Sequence, residues 1–280
     1  MRAKHQAAFD RIDDAYFDVA ALADDLAFAG HAEAHRWHLD SAPPQEQDHP
    51  CPGGLSGAGA QRSRAHVLTC YGAFMRRFVV IGQQAGASND FSLDDLPGSS
   101  GRLDVLLRCV RAALLVSHGV RRDVVVYLVF LGGRQPRVLR FDGAAAKFVR
   151  PDERSLATLV KKALAKADDL QWTARGFVDV KAGIASASGG LADVIADLGC
   201  ATPFVLDENG ADVRDSKDWG RGDVAFFVGD HKGFGEATRT SLAAIGARPI
   251  RVGPVSLHAE DAIAVVSNEI DRGAPVQASV

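Results

Sequence analysis

"VVVYLVFL", residues 124–131, is an unbroken run of apolar and aromatic side chains. A strand on a sheet with one wet face alternates apolar with polar residues. A continuous run needs burial on both faces, as in a parallel sheet covered by helices. Outward from this run, β-branched apolar segments at 77–82, 177–180, 203–207, 224–229 and 249–253 read as further strands. Amphipathic stretches alternate with them. Leu103, Leu106, Leu107, Val110 and Leu114 share one helical face within 101–118, and Gly119 suits the position just past the helix end. Helices are also expected over 155–167, 190–198 and 236–245. A last one starts near Leu257 and buries Ala262, Ile263, Val266 and Ile270. "VLRFDG" and "AKFVR", within 138–150, predict a small hairpin turning at Asp142-Gly143. The expected fold class is therefore α/β, a mostly parallel sheet with helices on both faces.

Hydrophobic residues make up 47% of the 280 and aromatics only 7%, so the core is expected to be built from Ala, Val, Leu and Ile. The net charge of −3 excludes a globally basic nucleic-acid binder, and any RNA contact must come from a local patch. Arg121, Arg122, Arg134, Arg137 and Arg140 are candidates for one. Cys51, Cys70, Cys109 and Cys200 have no C-x-x-C spacing. That argues against a zinc site or disulfide framework and for a cytoplasmic location. Cys109 is expected to be a buried, inert thiol. The longest apolar run, 124–133, is too short to cross a bilayer, so no membrane partner is expected.

The chain divides near Phe74. Residues 1–74 carry ten acids, six bases and six of the nine histidines. They predict a helix over about 5–38 and a flexible linker over 41–66, rich in Pro, Gly and Ser. The histidines are too irregularly spaced to favour a metal site. Two readings of this segment stay open: a natural extension, or a mis-assigned start with Met75 as the true one. Residues 75–280 form the expected main domain.

No G-x-G-x-x-G follows a strand, and neither a Walker A Lys, an H-E-x-x-H nor a G-x-S-x-G is present. A site would have to be made largely of backbone. Three strand ends finish in turns: "VLDENG" (205–210), "FVGDHKGF" (227–234) and "IRVGPVSL" (250–257). In open parallel sheets ligands bind beyond the carboxyl ends of the strands. Gly229 and Gly253 carry no side chain to obstruct a ligand there.

These segments, with "DFSLDDLPGSSGRLDVLLRCVRAALLVSHGVRRDV" (90–124), "RPDERSLATLVKKAL" (150–164) and "VGPVSLHAEDAIAVVSNEIDR" (252–272), resemble the tRNA pseudouridine N1-methyltransferase family of the SPOUT superfamily. The resemblance runs in order over 75–272. It implies a SPOUT α/β knot with a C-terminal trefoil knot, S-adenosyl-L-methionine (SAM) as cofactor, tRNA as partner and a homodimer. It implies methylation of N1 of pseudouridine at position 54 of the tRNA T-loop. Carried over by position, Leu206, Gly229, Val252, Gly253, Pro254, Val255, Ser256 and Leu257 would hold SAM. Ala262 falls where the family often has a Cys.

Methyl transfer from a sulfonium mainly requires alignment of donor and acceptor, plus removal or sharing of the N1 proton. "DDLPGSSGRLD" (94–104) offers Arg102 to hold a phosphate or base edge and Asp104 to face the acceptor base. Asp104 equally suits the first helical turn by complementing the dipole. Two other functions stay open: methylation of ribosomal RNA, and a non-catalytic RNA-binding module.

Overall fold

The computed structural model describes residues 74–133, 135–170, 176–216 and 222–273. The helix and linker expected before Phe74, and the six histidines there, lie outside the described residues.

Among the described residues, ten strands and six α-helices follow in the order β1 (Arg76–Gly86), α1 (Leu96–Ser99), α2 (Leu103–Leu114), β2 (Leu115–Val116), β3 (Gly119–Val120), β4 (Val124–Gly132), β5 (Arg137–Asp142), α3 (Glu153–Asp168), β6 (Val178–Lys181), β7 (Ile184–Ala187), α4 (Leu191–Leu198), β8 (Thr202–Asp212), β9 (Val224–Gly229), α5 (Glu236–Ala244), β10 (Arg248–Arg251) and α6 (Ala259–Gly273). The main sheet has the order β10-β8-β9-β1-β4-β5-β7-β6. The pairs from β10 to β4 are parallel, and β5, β7 and β6 add an antiparallel flank.

As its sequence demands, β4 is buried along residues 124–130. One face of the sheet packs Phe78, Val80, Val126, Leu128 and Phe226 under α2, α3 and α6. The other packs Val79, Ile81, Tyr127, Val129 and Phe227 under Val194 of α4 and Leu242 of α5. The alternation along β1, even residues one way and odd the other, is the pleat itself. Phe204, Phe226 and Phe78 stack across β8, β9 and β1, with ring centroids 5.4 and 5.5 Å apart.

Two local expectations are corrected. The helix over 101–118 stops at Leu114, and residues 115–120 turn back as the two-stranded β2–β3 sheet, with Gly119 in its second strand. The hairpin over 138–150 does not form: β5 pairs with β4 and β7 instead. Gly143 lies so close to Arg121 that a Cβ there would stand 2.0 Å from its carbonyl oxygen, so the Asp-Gly pair serves a tertiary contact.

At the amino ends of the parallel strands, the buried Arg76 bridges Asp123 at 2.6 Å and Asp271 at 2.8 Å, and Arg121 also reaches Asp271. This fastens the end of α6 to β1. The opposite ends of β1, β8, β9 and β10 are left to form a site.

Candidate functional site

Three loops meet at those carboxyl ends. β8 runs in two halves: Val205 pairs with Pro249, the next pair is Ala211 with Ile250, and residues 206–210 swing out between them. Gly210 closes this excursion against β10, where a Cβ would stand 2.4 Å from Ile250 N. β9 ends in a tight turn held by Asp230, whose carboxylate accepts from Gln83 N at 2.7 Å and Lys232 N at 2.8 Å. That carboxylate ties the end of β1 to the end of β9. β10 leads through residues 252–258 into α6.

The loops enclose a cavity of about 700 Å³, completed by Arg102, Val105 and Arg108 from α2 and its approach, and by Glu260 and Ala262 from α6. Leu206, Gly229, Val252, Gly253, Val255, Ser256, Leu257, Ala262 and Arg102 all line it. Two expected residues do not: Pro254 is exposed outside the lining set, and Asp104 lies buried behind Arg102. Arg108, Asp230 and Glu260 were not read from the sequence. Only "GDHKG" at 229–233 carried a local signal for any of them.

The two glycines differ. A Cβ on Gly253 would meet nothing within 4 Å, so the space beside it is open for a ligand. A Cβ on Gly229 would stand 2.8 Å from the backbone of Gly233, so that glycine is required by its own turn.

Arg102 and Gly101 both have left-handed backbone, with φ of 69° and 67°. A Cβ at Gly101 would stand 2.1 Å from Gln84 O, so only glycine fits the turn that presents Arg102. Strained backbone of this kind is held by its surroundings and clusters at functional sites. Asp104 receives both guanidinium edges. Its Oδ1 accepts from Arg102 Nε at 3.0 Å, and its Oδ2 from Arg102 Nη2 at 3.1 Å and Arg108 Nη1 at 3.0 Å. Burial alone would raise its pKa, but hydrogen bonds from Arg102 and Arg108 prevail and hold it below the usual carboxylate value. Burial opposes the charge on Arg108, yet hydrogen bonds to Glu260 and Asp104 raise its pKa.

Cys109 is fully buried, and burial pushes its thiol pKa up, so it is a neutral packing residue. His231 lines the cavity at an exposed position. The arginine patch expected around 121–140 is dispersed: Arg121 pairs with Asp271, Arg137 with Asp168 and Arg140 with Asp197. Arg134 lies outside the described residues. Among the described residues no cluster of His, Cys, Asp and Glu could hold a metal, and no helix is long and apolar enough to cross a membrane.

A doubly covered, mostly parallel sheet with a roomy cavity at its strand ends is the setting of a cofactor-dependent α/β enzyme. The chain belongs to the SAM-dependent RNA methyltransferase family, whose model matches residues 75–274. It is 42% identical over 202 residues to the tRNA (pseudouridine(54)-N(1))-methyltransferase of Methanosarcina acetivorans, covering 71% of this chain and 92% of that one. It is likewise 42% identical over 199 residues to the enzyme of that name from Halobacterium salinarum, covering 70% and 96%. The fold matches Archaeoglobus fulgidus Nep1 bound to S-adenosylhomocysteine, with a TM-score of 0.51, 16% identity, and coverage of 71% and 99%. The cavity fits the cofactor that the family uses. Its volume lies within the roughly 300–1,000 Å³ typical of small-molecule sites. Gly253 leaves its wall open, and the lining carries both signs of charge, with Asp207, Glu208 and Glu260 beside Arg102, Arg108, Arg239 and Arg251.

Proposed function

We propose that the chain methylates N1 of pseudouridine in tRNA, at the position-54 site that its relatives' names specify. The carrying observation is the meeting of three strand-end loops around one cavity in a chain 42% identical to such enzymes. In this reading residues 75–280 are the methyltransferase domain and 1–74 an extension. The enzyme works as a cytoplasmic homodimer, and its C-terminal part threads as a trefoil knot.

Leu206, Gly229, the run from Val252 to Leu257 and Ala262 hold SAM, with Pro254 stiffening the run from outside the cavity. SAM supplies an electrophilic methyl group when bound there. Arg102, at the cavity wall and 39% exposed in its side chain, grips the edge or phosphate of the acceptor nucleotide. Asp104 orients Arg102. Its oxygens have about four acceptor positions, of which the guanidiniums take three. Buried behind Arg102 and outside the cavity lining, Asp104 is a positioning residue: it holds the guanidinium in place and does not touch the acceptor base.

Nucleoside mass spectrometry of tRNA from cells with and without the gene tests this function. Loss of N1-methylpseudouridine on deletion is expected. Persistence of the nucleoside would remove tRNA as the substrate. Tritiated SAM with total RNA then separates a ribosomal RNA enzyme, which labels RNA, from a non-catalytic module, which does not.

A further inference from the structure

A second cleft of about 410 Å³ adjoins the cavity and shares Glu260 with it. It lies between α2 and α6, and its lining includes Arg111, Val116, Pro151 and Asp261. The segment 143–151 reaches this cleft at Pro151 and is anchored at three points. Gly143 N donates to Val124 O at 2.9 Å, Val149 packs against the core, and Pro151 lines the cleft. Between these anchors Phe148 is 84% exposed, with φ at +63°. A left-handed phenylalanine gives up both backbone comfort and burial, and its anchored neighbours show that looseness is not the cause.

The charge around Phe148 is as unusual. Nearly every described arginine has its guanidinium engaged by a carboxylate, a carbonyl, an amide oxygen or an aromatic ring. Arg111, Arg122 and Arg150 stand apart: all three are exposed, and none has its guanidinium in an ion pair or hydrogen bond among the described residues. Chain neighbours and backbone contacts link their positions. Arg150 precedes Pro151, which lines the cleft with Arg111. Arg122 follows Arg121, whose N–H donates to Leu114 O at 2.8 Å and whose carbonyl touches Gly143. Lys147 adds a fourth exposed cation beside Phe148. The acids nearby are Asp261; Glu260 and Glu153, which both accept from Arg108; Asp123, which holds Arg76; Asp142, which caps Ala144 N; and Asp152, which caps Ser155 N and feels the charge of Arg150.

We propose that this surface docks the substrate RNA: Arg111, Arg122, Arg150 and Lys147 meet backbone phosphates, and Phe148 stacks on an unpaired base. Exposed aromatics among free cations are the means by which proteins hold unpaired nucleotides. The shared Glu260 places the Arg111 and Pro151 side of this surface next to the methyl-donor cavity, while Arg122 stands toward the amino ends of the strands, so an RNA on this surface runs along the sheet from that end to the cavity. The proposal rests on RNA being the substrate.

The test uses the full chain and tRNA isolated from cells lacking the gene. Binding is measured across a salt series for wild type, for Phe148→Gly and for the triple variant Arg111→Gln, Arg122→Gln, Arg150→Gln. SAM affinity, thermal midpoint and oligomeric state are measured alongside. Phe148→Gly removes the ring and relaxes the left-handed residue, so a thermal midpoint equal to or above wild type is expected. Its RNA affinity should fall on the order of tenfold. The triple variant should lower the salt-dependence slope by roughly 2–3, one phosphate per arginine at about 0.9 each. SAM affinity should stay unchanged in both. RNA affinity and slope equal to wild type would overturn the docking surface while leaving the family function intact. A wild-type chain that binds no tRNA would sink both. Conversion of a wild-type dimer to monomer by Phe148→Gly, with RNA affinity per protomer retained, would assign the surface to a second copy and overturn the proposal.

Discussion

Arg108 Nε donates to Glu260 Oε1 at 2.7 Å, so one hydrogen bond joins α2 to the first turn of α6 across the cavity wall. The same guanidinium holds Asp104 at 3.0 Å, which in turn holds Arg102. Arg102 is thereby linked to the helix that closes the cofactor cavity. Arg108→Met should lower stability by about 1–3 kcal/mol, the range for a charged hydrogen bond whose partner is left partly buried. A double-mutant cycle with Glu260→Gln, read by urea unfolding, should show coupling above about 0.5 kcal/mol. Strictly additive losses would mean that the bond does not join the helices energetically.

Gly253→Val places a branched side chain where the structure has only open space. The fold should tolerate it, and the cavity should not. SAM affinity by calorimetry is expected to weaken at least about tenfold, with the thermal midpoint unchanged. Retained affinity would locate the cofactor elsewhere.

Gly210→Ala has the opposite signature. Its Cβ would collide with backbone atoms of Pro249 and Ile250, which no side-chain rotation relieves. A stability loss of about 1–3 kcal/mol is expected from overpacking, with weaker SAM binding because the same crossing shapes the cavity. A variant as stable as wild type would show that β8 and β10 separate freely.

Acid should weaken the fold through Asp271. Burial acts to raise its pKa, but hydrogen bonds from Arg121 and Arg76 prevail and hold it below the unfolded value of about 3.9. The folded state then binds fewer protons than the unfolded one, so the stabilisation is complete well above pH about 4 and is lost as pH falls through the lower folded value. Denaturation series from pH 7 to pH 3 should show a shallower acid loss for Asp271→Asn than for wild type. Parallel curves would mean that other carboxylates carry the effect.

The sheet was legible wherever strands are buried on both faces. Residues 124–131 could hardly be anything else, and Val79 and Val80 point to different layers while both stay fully buried. What escaped reading was pairing at a distance. "IASA" at 184–187 has little strand signal, and it becomes a strand because Arg137–Asp142 offers it an edge. The cavity was legible from three turns after three apolar runs, since a parallel sheet brings such ends together. Its electrostatics were not. Arg108 and Glu260 are 152 residues apart, and no spacing in the chain announces their bond. The dispersed arginines have the same explanation: Asp168, Asp197 and Asp271 reach them from distant helices.

Phe78 at the middle of the sheet takes Phe226 as its register partner on one side, and that residue is made 148 positions later. At synthesis rates of about 5–20 residues per second, roughly 7–30 s pass before β9 can cover that flank. Until then the nascent polypeptide offers a bare, greasy strand edge, the kind of surface that recruits chaperones or aggregates. Ribosome-bound chains halted before residue 224 should therefore be caught by such helpers more readily than chains released whole.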